Sequence, residues 1–413
     1  MTSTKRLGIA FIGAGFMNTF HTKSWTSVRD SQIVAICSPN LHHARTLADL
    51  CRDHNIGTPK CFTDVSETVR DPDVDAAWIA VPNDLHLPIT QTIAEEKMQG
   101  KSNIRAIACE KPLSLDVSQA KEMIRLAEKA DLLHGYLENQ VYAPSLVKGK
   151  EVIWSHSGQA GRPYLARASE EHSGPHEPWF WQTDRSGGGA LMDMMCHTLE
   201  ATRYLLTAPN ENKSDLEVKS VSAEIAHLKW TRAEYAQRLR ESTHGQVDYS
   251  KNAAEDFAKA SITYADKHDT VLISDNIVSW CFDGPGVRLF FELLGPEYHM
   301  QVNSLEPELH VFFGRNLKPS RGEYFVEKQG AELGLMPTIA DETFTYGYQN
   351  ENSHRVSSFL RNSLPTENWY DGLFIMQLIT ACYMSAQRGM KLKYPPPGLD
   401  DYNHIHASKN PSF

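Results

Sequence analysis

The sequence lacks the features that would assign it to a membrane, a nucleic acid or an oxidising compartment. No apolar run reaches the length of about 18 residues that a membrane-spanning helix needs. Lysine and arginine form no sustained block and the formal net charge is −10, so a nucleic-acid surface is not expected. The seven cysteines are scattered and odd in number, which favours reduced core residues over a disulfide framework. There is no internal repeat and no low-complexity tract.

The size and composition are those of a globular protein with more than one domain. At 413 residues the chain exceeds the roughly 100 to 200 residues of one domain, and 41% of its residues are hydrophobic against 22% charged. Residues 1–6 lead directly into a strand, with no separate apolar region that a signal peptidase would remove. We therefore expect two or three domains and a cytoplasmic location.

Residues 187–206 join three consecutive glycines to a long run without a helix breaker. The glycines permit close backbone packing and a sharp turn, and the run that follows predicts a buried helix. Asp193 and His197 stand at positions i and i+4, so this helix presents a carboxylate and an imidazole on one face. Two interpretations stay open: the side chains satisfy each other or a backbone group in a core, or they form one wall of an active site.

A nucleotide-binding pattern opens the chain. Leu7–Ile12 is a short apolar strand, a Gly-Ala-Gly-Phe-Met-Asn stretch occupies residues 13–18, and a helical segment follows. A glycine turn between a strand and a helix exposes backbone N–H groups at the positive end of the helix dipole, which suits a pyrophosphate. Asn18 stands where the G-x-G-x-x-G/A pattern has its third small residue. A plain strand-to-helix turn is the alternative interpretation.

Further strands at residues 32–37, 76–82 and 105–109 alternate with helices. This spacing predicts a parallel doubly wound sheet, whose ligands bind outside the carboxyl ends of the strands. Ser38 stands where an NAD site commonly has an acidic residue, and no arginine follows immediately, so NAD and NADP both stay open. Lys111 follows the strand at 105–109 and precedes Pro112. A solvated surface lysine is the ordinary interpretation, but this place between a strand and a proline favours function.

From about residue 140 the alternation of strands and helices is lost. Residues 230–252 are polar and helix-prone, as in an insertion, and late helices are expected at 348–361 and 368–388. Successive strands without helices between them predict a largely antiparallel sheet with one open face. The fold class is therefore α/β, with an N-terminal doubly wound parallel sheet and a C-terminal α+β domain on a large, mainly antiparallel open sheet. The expected strands of that sheet are residues 163–168, 218–229, 256–264, 270–280, 287–294, 298–303 and 309–313.

The ordered set of motifs resembles the glucose-fructose oxidoreductase/inositol dehydrogenase/MocA-like (Gfo/Idh/MocA) oxidoreductases. The resemblance implies a Rossmann domain over residues 1–138 and a substrate-binding and oligomerisation domain over 139–394. The composition after residue 394 predicts a polar tail over 395–413. It also implies NAD or NADP as cofactor, a polyol, sugar or cyclitol as substrate, and a homo-oligomer, dimer or tetramer, formed through the open sheet. The motifs are residues 13–18, Pro82-Asn83 with His86, Glu110-Lys111-Pro112, and residues 187–189 with Asp193 and His197.

The resemblance also implies three catalytic residues. Lys111 would polarise the reacting oxygen, Asp193 would hold the substrate, and His197 would be the general base in oxidation and the acid in reduction. The chemistry agrees, because hydride removal from a carbinol needs a base near the hydroxyl and a cation near its oxygen. The predicted cofactor-binding residues are Gly13, Gly15, Phe16, Met17, Ser38, Pro82, Asn83, His86, Glu110 and Lys111.

Residues 172–181, just before the glycines, are expected to form part of the substrate wall. Aromatic faces suit the C–H faces of a sugar, whereas a loop held by aromatic packing is the alternative. The predicted substrate-binding residues are Asn139, His172, His176, Trp179, Trp181 and Asp193. The set Glu138, His172, His176, Asp193 and His197 offers N and O ligands for a divalent metal, but its spacing matches no strong metal motif, so we predict no metal.

The first choice of function is an NAD(P)-dependent oxidoreductase acting on a sugar, glycoside or cyclitol. A second candidate is an enzyme that cleaves glycosides by transient oxidation and elimination, since it would use the same Lys111 and His197. A third, of another class, is a non-catalytic NAD(P)-binding regulator. The presence of Lys111, Asp193 and His197 together argues against the regulator.

Overall fold

The computed structural model describes residues 6–251, 253–307, 309–313, 334–403 and 405. The expectations for residues 1–5 and for most of the tail beyond residue 403 lie outside the described residues. The chain divides into two compact units, one of Met1–Ala143 with Tyr346–Met376 and one of Pro144–Thr345 with Gln377–Phe413. Residues 346–376 thus group with the N-terminal half, whereas the predicted N-terminal domain was one continuous segment that did not include them. The domain boundaries at residues 138 and 394 stay predictions.

The first unit is built on a six-stranded sheet. Its strands are β1 (Leu7–Ile12), β2 (Ser31–Cys37), β3 (Lys60–Phe62), β4 (Ala76–Ile79), β5 (Ala106–Glu110) and β6 (Leu133–Leu137). They lie in the order β3-β2-β1-β4-β5-β6, and every pairing is parallel. The strand order reverses between β1 and β4, so the crevice outside their carboxyl ends is where such a sheet binds ligands. The predicted doubly wound parallel sheet is confirmed.

The second unit contains a seven-stranded mixed sheet and a separate hairpin. The strands are β7 (Leu165–Glu171), β8 (Glu217–Ala226), β9 (Phe257–Ala265), β10 (Val271–Ser279), β11 (Arg288–Leu294), β12 (His299–Asn303), β13 (Leu309–Phe313), β14 (Gly334–Thr338) and β15 (Leu392–Lys393). The strand order in the large sheet is β12-β11-β7-β10-β9-β8-β15. Strands β7 and β10 are parallel, and the other pairs are antiparallel, which confirms the mainly antiparallel sheet. The strand predicted at 309–313 is not part of this sheet, because it pairs with β14 in the antiparallel hairpin.

Capping residues set the start of several helices. Asn40, Asp64 and Asp116 each accept a backbone N–H from the first turn of the helix that follows. Each helix in the described part of the chain is too short or too polar to span a lipid bilayer. The described α-helices are α1 (Phe16–Ser24), α2 (Leu41–Asp53), α3 (Val65–Arg70), α4 (His86–Met98), α5 (Val117–Lys129), α6 (Pro144–Ala160), α7 (Thr183–Ser186), α8 (Ala190–Leu206), α9 (Ala233–Ser242), α10 (Glu342–Thr345), α11 (Tyr348–Leu360) and α12 (Trp369–Arg388).

The core of the first unit explains the apolar character of its strands. All six residues of β1 are buried, as expected for a parallel sheet covered on both faces. Trp78 of β4 packs edge-on against Trp25 and against Phe359, with ring centroids 5.2 and 5.8 Å apart. Because Phe359 belongs to α11, this late helix joins the first unit through its apolar residues.

The sheet of the second unit has one covered and one open face. Helix α8 packs against β7 and β10. Along β10, buried Leu272 and Ser274 alternate with the exposed Val271 and Ile277 and the partly exposed Ile273. This period of two is typical of an antiparallel-type sheet with one face on the core.

Candidate functional site

The glycine turn after β1 has the shape that a dinucleotide loop needs. Gly13 has a φ of +104°, and a Cβ there would lie 2.1 Å from the carbonyl oxygen of Ala80. Only glycine suits this position, because it tolerates a positive φ and has no Cβ. Gly15 is the N-cap of α1, and apart from its chain neighbours no described atom lies within 4 Å of a Cβ built there. The turn is tight beside Ala80 and open at the helix N-terminus.

Asn18 braces this turn. It is fully buried, and its Nδ2 donates hydrogen bonds to the carbonyl oxygens of Gly13 (2.8 Å) and Ile12 (3.3 Å). The first turn of α1, which includes Phe16 and Met17, carries no acidic residue, so its N–H groups and its dipole favour an anion. The larger side chain therefore fits where the fingerprint has a small one, and the turn fits the pyrophosphate of a nicotinamide dinucleotide.

Ser38 follows β2 and is buried. Its Oγ accepts the N–H of Asn40 at 3.3 Å, and Asn40 caps α2 by accepting the N–H of His42 at 3.0 Å. The first turn of α2 contains no acidic residue. This end of the sheet thus presents a hydroxyl, an amide and helix N–H groups at the position where NAD and NADP differ.

Pro82, Asn83 and His86 follow β4. Pro82 is partly buried, whereas Asn83 and His86 are buried. The two ring nitrogens of His86 lie 3.1 Å from the Leu113 carbonyl oxygen and 3.0 Å from the Val81 carbonyl oxygen, and burial lowers the pKa of His86. The enclosed ring ties the loop after β4 to the loop after β5, and its predicted contact with a cofactor stays a prediction.

Glu110 and Lys111 stand at the end of β5. Oε2 of Glu110 accepts the N–H of Lys111 at 3.2 Å, and its Oε1 lies 2.8 Å from Nε2 of His21. Burial by itself would raise the pKa of Glu110, but the hydrogen bond from His21 and the charge of Lys111 bring that pKa below its ordinary value. Glu110 is therefore an anion that holds the main chain of Lys111, whose side chain is partly exposed.

Asn139 follows β6 and is only 3% exposed. Its Nδ2 donates to the carbonyl oxygen of Tyr346 at 2.7 Å, so the amide anchors the segment that precedes α11. The neighbouring Glu138 is fully buried and accepts the N–H of Gln140 at 3.1 Å. Asn139 therefore has a structural role in this unit, and its predicted contact with substrate stays a prediction.

The start of α8 is docked on a buried carboxylate. Oε1 of Glu255 accepts the N–H of Gly189 at 2.9 Å and the N–H of Leu191 at 3.2 Å. The hydroxyl of Tyr383 donates to the same oxygen at 2.7 Å. A Cβ at Gly188 would lie 2.2 Å from the Tyr383 hydroxyl, and a Cβ at Gly189 would lie 2.0 Å from the Glu255 carbonyl oxygen. These contacts explain why glycines precede the helix.

Asp193 and His197 lie in the first half of α8 and are buried. Trp280 donates its Nε1–H to Oδ2 of Asp193 at 3.1 Å, and Nε2 of His172 lies 3.8 Å from the same oxygen. Nδ1 of His172 accepts the N–H of Gly174 at 3.0 Å, so the proton of the neutral ring is on Nε2, toward Asp193. An indole therefore orients Asp193, and an imidazole stands beside it.

Trp181 belongs to a packed aromatic cluster. Its ring centroid lies 5.0 Å from that of Trp230, 4.9 Å from that of Trp280 and 5.6 Å from that of Tyr249. The side chain is 2% exposed, and its Nε1 donates to the carbonyl oxygen of Pro175 at 3.1 Å. The ring faces pack against other aromatic side chains, so Trp181 holds the loop in place, and its predicted contact with substrate stays a prediction.

The neighbouring aromatic residues are more accessible. Trp179 and Phe180 are partly exposed and stack on each other, with ring centroids 3.8 Å apart. His176 is also partly exposed, and its ring lies 6.4 Å from that of Phe180. These side chains are the part of the segment that can still face a ligand. The prediction of no metal stays a prediction.

His21, Glu255 and Trp280 hold the candidate residues in place but were not predicted from the sequence. Their partners are 89, 66 and 87 residues away in the chain, so no local pattern reveals the pairs. Only Glu255 carries a local indication, since it and Asp256 put two acidic residues directly before the apolar strand β9.

The protein is of the dinucleotide-binding oxidoreductase class. This class is defined by the doubly wound sheet with its glycine turn at the switch point, and by the buried carboxylate and imidazole on α8. Family models match both halves: residues 7–136 match an oxidoreductase family with an NAD-binding Rossmann fold, and residues 151–289 match the GFO/IDH/MocA C-terminal domain. The chain belongs to the Gfo/Idh/MocA oxidoreductase family, as its motifs predicted. The expectation of NAD or NADP is confirmed for this family, without a choice between the two.

Curated relatives and a solved structure agree with this family. Myo-inositol 2-dehydrogenase of Thermotoga maritima is 26% identical over 201 residues, which are 49% of this chain and 54% of the relative. D-glucoside 3-dehydrogenase of Escherichia coli is 26% identical over 412 residues, 95% of this chain and 99% of the relative. The crystal structure of GenD2 from gentamicin A biosynthesis in complex with NAD has a TM-score of 0.75 at 22% identity, covering 95% and 97% of the two chains. The chain spans about half the length of the first curated relatives that it matches.

Proposed function

We propose that the chain is an NAD(P)-dependent oxidoreductase that transfers a hydride between nicotinamide and a hydroxyl carbon of a sugar, glycoside or cyclitol. The observation that carries the proposal is the glycine turn at the switch point, where Gly13 admits no side chain and Gly15 leaves the start of α1 open. The relative that covers 95% of this chain is a D-glucoside 3-dehydrogenase, and another is a myo-inositol 2-dehydrogenase. Both names support a polyhydroxylated substrate.

The proposed chemistry gives each polar residue one task. The nicotinamide supplies the hydride acceptor or donor when it is bound. Lys111 stabilises the negative charge that develops on the reacting oxygen. His197 takes the hydroxyl proton in oxidation and returns it in reduction, and Asp193 accepts a hydrogen bond from a substrate hydroxyl. Trp280 keeps Asp193 in the orientation that this bond requires.

We propose that Trp179 and Phe180 contact the substrate through the C–H face of a sugar ring. Their stacked, partly exposed rings offer apolar surface, and His176 stands close enough to bond a hydroxyl of the same ligand. His172 is the other proposed substrate contact, because its Nε2 is directed at Asp193. This combination of an aromatic surface with imidazole and carboxylate groups suits a polyol better than an apolar ligand.

We also propose that the open face of the second sheet forms the interface of a homo-oligomer. The interior strand β10 exposes Val271 (59%) and Ile277 (42%). Ion pairs lie on neighbouring strands, Arg167 with Glu292 and Lys259 with Glu224, both at 2.9 Å. Apolar side chains among charges of both signs favour a surface covered by a second copy. Native mass spectrometry should find dimers or tetramers, and a monomer alone would contradict the interface.

The test of the activity is a substrate panel with both cofactors. Reduced nicotinamide should accumulate with at least one sugar, glycoside or inositol, and at least about 100-fold more slowly in Lys111→Ala and His197→Ala. Both variants should still be stabilised by cofactor in a thermal-shift titration, which separates lost chemistry from lost folding. Aglycone release without net reduced nicotinamide would favour transient oxidation and elimination. Full biological activity in Lys111→Ala would favour a non-catalytic regulator.

A further inference from the structure

A continuous set of hydrogen bonds in the first unit ends at the main chain of Lys111. Trp78 donates its Nε1–H to Oδ1 of Asn352 at 3.0 Å. Nδ2 of Asn352 lies 2.9 Å from Nδ1 of His21, and Nε2 of His21 lies 2.8 Å from Oε1 of Glu110. Oε2 of Glu110 accepts the N–H of Lys111 at 3.2 Å. These residues come from β4, α11, α1 and the end of β5.

The direction of every bond follows from the indole. An indole N–H can only donate, so the Asn352 atom that faces Trp78 is the carbonyl oxygen. The amide nitrogen then faces His21, and because it can only donate, Nδ1 of His21 must accept. The second amide hydrogen goes to Oγ of Ser24 at 2.9 Å, and Ser24 donates to the His21 carbonyl oxygen at 2.8 Å. The proton of the neutral His21 ring is therefore on Nε2, where Glu110 accepts it.

The side chains of this network are shielded from water, and each of the donors and acceptors described above has a hydrogen-bond partner. Trp78, His21, Asn352 and Ser24 are fully buried, and Glu110 is 6% exposed. Leaving any of these donors or acceptors without its partner would be costly, so the network has one preferred arrangement. A buried network with a single arrangement fixes the direction of each group along it.

The charges around Glu110 agree with this arrangement. Burial would raise the pKa of the carboxyl, but the hydrogen bond from the neutral His21 ring and the charge of Lys111 lower the pKa overall. His86 and the thiol of Cys109 also interact electrostatically with Glu110, and burial lowers the pKa of His86 and raises the pKa of Cys109. Glu110 is therefore an anion with a fixed orientation. His21 and Lys111 favour its ionised form, and His86 and Cys109 are neutral.

We propose that His21 and Asn352 are positioning residues for Lys111. They fix the Glu110 carboxylate in one orientation. The second oxygen of this carboxylate accepts the backbone N–H of Lys111, and this bond sets the direction in which the Lys111 side chain leaves the main chain. Both act through Glu110 and not on the reacting atoms. The inference rests on the proposed function, because that function gives Lys111 its polarising role.

Asn352→Asp is the most informative variant. A carboxylate in place of the amide nitrogen cannot donate, so Nδ1 of His21 must carry a proton instead. Nε2 then either loses its proton, and with it the bond to Glu110, or the ring becomes charged. Asn350→Asp is the matched control, since it makes the same change on α11 at an exposed residue whose Nδ2 contacts the Tyr142 carbonyl oxygen at 3.1 Å.

Two magnetic-resonance measurements on the full chain test the arrangement without any substrate. The ¹⁵N shifts of the His21 ring should show a proton on Nε2 alone in the wild type and in Asn350→Asp, and a protonated Nδ1 in Asn352→Asp. Hydrogen exchange of the Lys111 peptide N–H should be at least about 10-fold faster in His21→Leu, which cannot donate to Glu110, than in the wild type and in His21→Gln, whose amide can. A wild-type proton on Nδ1, or unchanged exchange in His21→Leu, would overturn the inference.

Kinetics test the consequence for catalysis. We expect kcat in Asn352→Asp to fall by at least about 10-fold, with a smaller change in the KM for cofactor and a shifted pH profile of kcat. His21→Gln should retain more activity than His21→Leu, because an amide can donate to Glu110 and accept from Asn352 as the imidazole does. Wild-type kcat in both Asn352→Asp and His21→Leu would remove the positioning role. Absence of turnover in the wild type would instead refute the proposed function, while the ring proton and the exchange rate still decide the inference.

Discussion

At the scale of single residues, Glu255 links the docking of α8 to pH. Burial raises its pKa to about 7, although the Tyr383 hydroxyl and the N–H groups of Gly189 and Leu191 favour the ionised form. Its Oε2 is buried and has no hydrogen-bond partner among the described residues. Ionisation of this carboxyl is therefore more costly in the folded protein than in the unfolded chain.

Glu255→Gln should change how stability depends on pH. The folded-state pKa of about 7 lies above the ordinary value of 4.5, so the contribution of Glu255 is fully present below about pH 4.5 and is lost as pH rises to about 7. The loss is on the order of 3 kcal/mol, at about 1.4 kcal/mol per pKa unit. Glutamine keeps an oxygen acceptor for the three donors but does not titrate.

Urea unfolding of both proteins at about pH 5 and about pH 8 measures this effect. The wild type should lose stability relative to Glu255→Gln between the two conditions. The same difference in unfolding free energy at both values would show that Glu255 does not titrate in this range.

Gly189→Ala should destabilise the protein by about 3 kcal/mol or more, because its Cβ would lie 2.0 Å from the Glu255 carbonyl oxygen. The matched control is Gly158→Ala in α6, where no described atom beyond the helix backbone and chain neighbours lies within 4 Å of the added Cβ. Alanine there should stabilise by about 0.5–1 kcal/mol through helix propensity. Chemical denaturation measures both variants, and equal effects would contradict the close docking at Gly189.

At the scale of secondary-structure elements, the parallel pairing of β7 with β10 brings two site residues together. Ser279 and Glu171 are partners at the ends of these strands, and the N–H of His172 donates to the Ser279 carbonyl oxygen at 3.0 Å. His172 and Trp280 therefore leave the sheet at the same edge, where both face Asp193 of α8. An antiparallel pair would have placed them at opposite edges.

Trp280→Phe should lower kcat/KM by about 10-fold, since Asp193 loses a buried hydrogen bond worth about 1–2 kcal/mol. Affinity for the cofactor should change little. Trp154→Phe is the control, because it removes another indole hydrogen bond to α8, from Nε1 to the Leu205 carbonyl oxygen at 2.9 Å. Steady-state kinetics on the best polyol compare the two, and an equal loss in both would contradict a specific role for Trp280.

Ser38→Asp should weaken binding of NADP relative to NAD by at least about 10-fold. A carboxylate at the end of β2 can accept hydrogen bonds from the ribose diol but repels a 2′-phosphate. The first turn of α2 contributes no acidic residue of its own, so the substitution supplies a new charge there. Fluorescence titration with both cofactors gives the ratio of dissociation constants. A ratio equal to that of the wild type would place Ser38 away from the ribose.

Individual elements were predictable to within a few residues, whereas their partners were not. Apolar periodicity placed a strand at 287–294, where β11 spans Arg288–Leu294, and a helix at 348–361, where α11 spans Tyr348–Leu360. The same periodicity carries no information on which strands pair, so the parallel contact of β7 with β10, across 108 residues at Ile273 and Leu165, was not expected. The local sequence pattern shows which face of a helix or strand is buried. It does not show which other helix or strand packs against that face.

At the scale of the whole molecule, the ordered motifs predicted the family and the two sheets, but not the return of residues 346–376 to the first unit. Asn352 contacts Trp78 across 274 residues, so no spacing rule connects them. Because sequence spacing does not reveal such distant contacts, the supporting residues His21, Glu255 and Trp280 could not be predicted. The candidate reactive residues Lys111, Asp193 and His197 could. Chemical type marks a reactive residue in a sequence, but a supporting residue is recognised only by its neighbours.

Transfer of carbon-bound deuterium is the most direct test of the central claim, that this chain moves a hydride between a carbinol carbon and nicotinamide. Sugars, glycosides and cyclitols deuterated at carbon are incubated with the protein and NAD⁺ or NADP⁺, and mass spectrometry follows the cofactor. We expect deuterium in the reduced nicotinamide with the wild type, and transfer at least about 100-fold slower in Lys111→Ala and His197→Ala. A cofactor that binds the protein yet gains no deuterium from any of these compounds would contradict the claim.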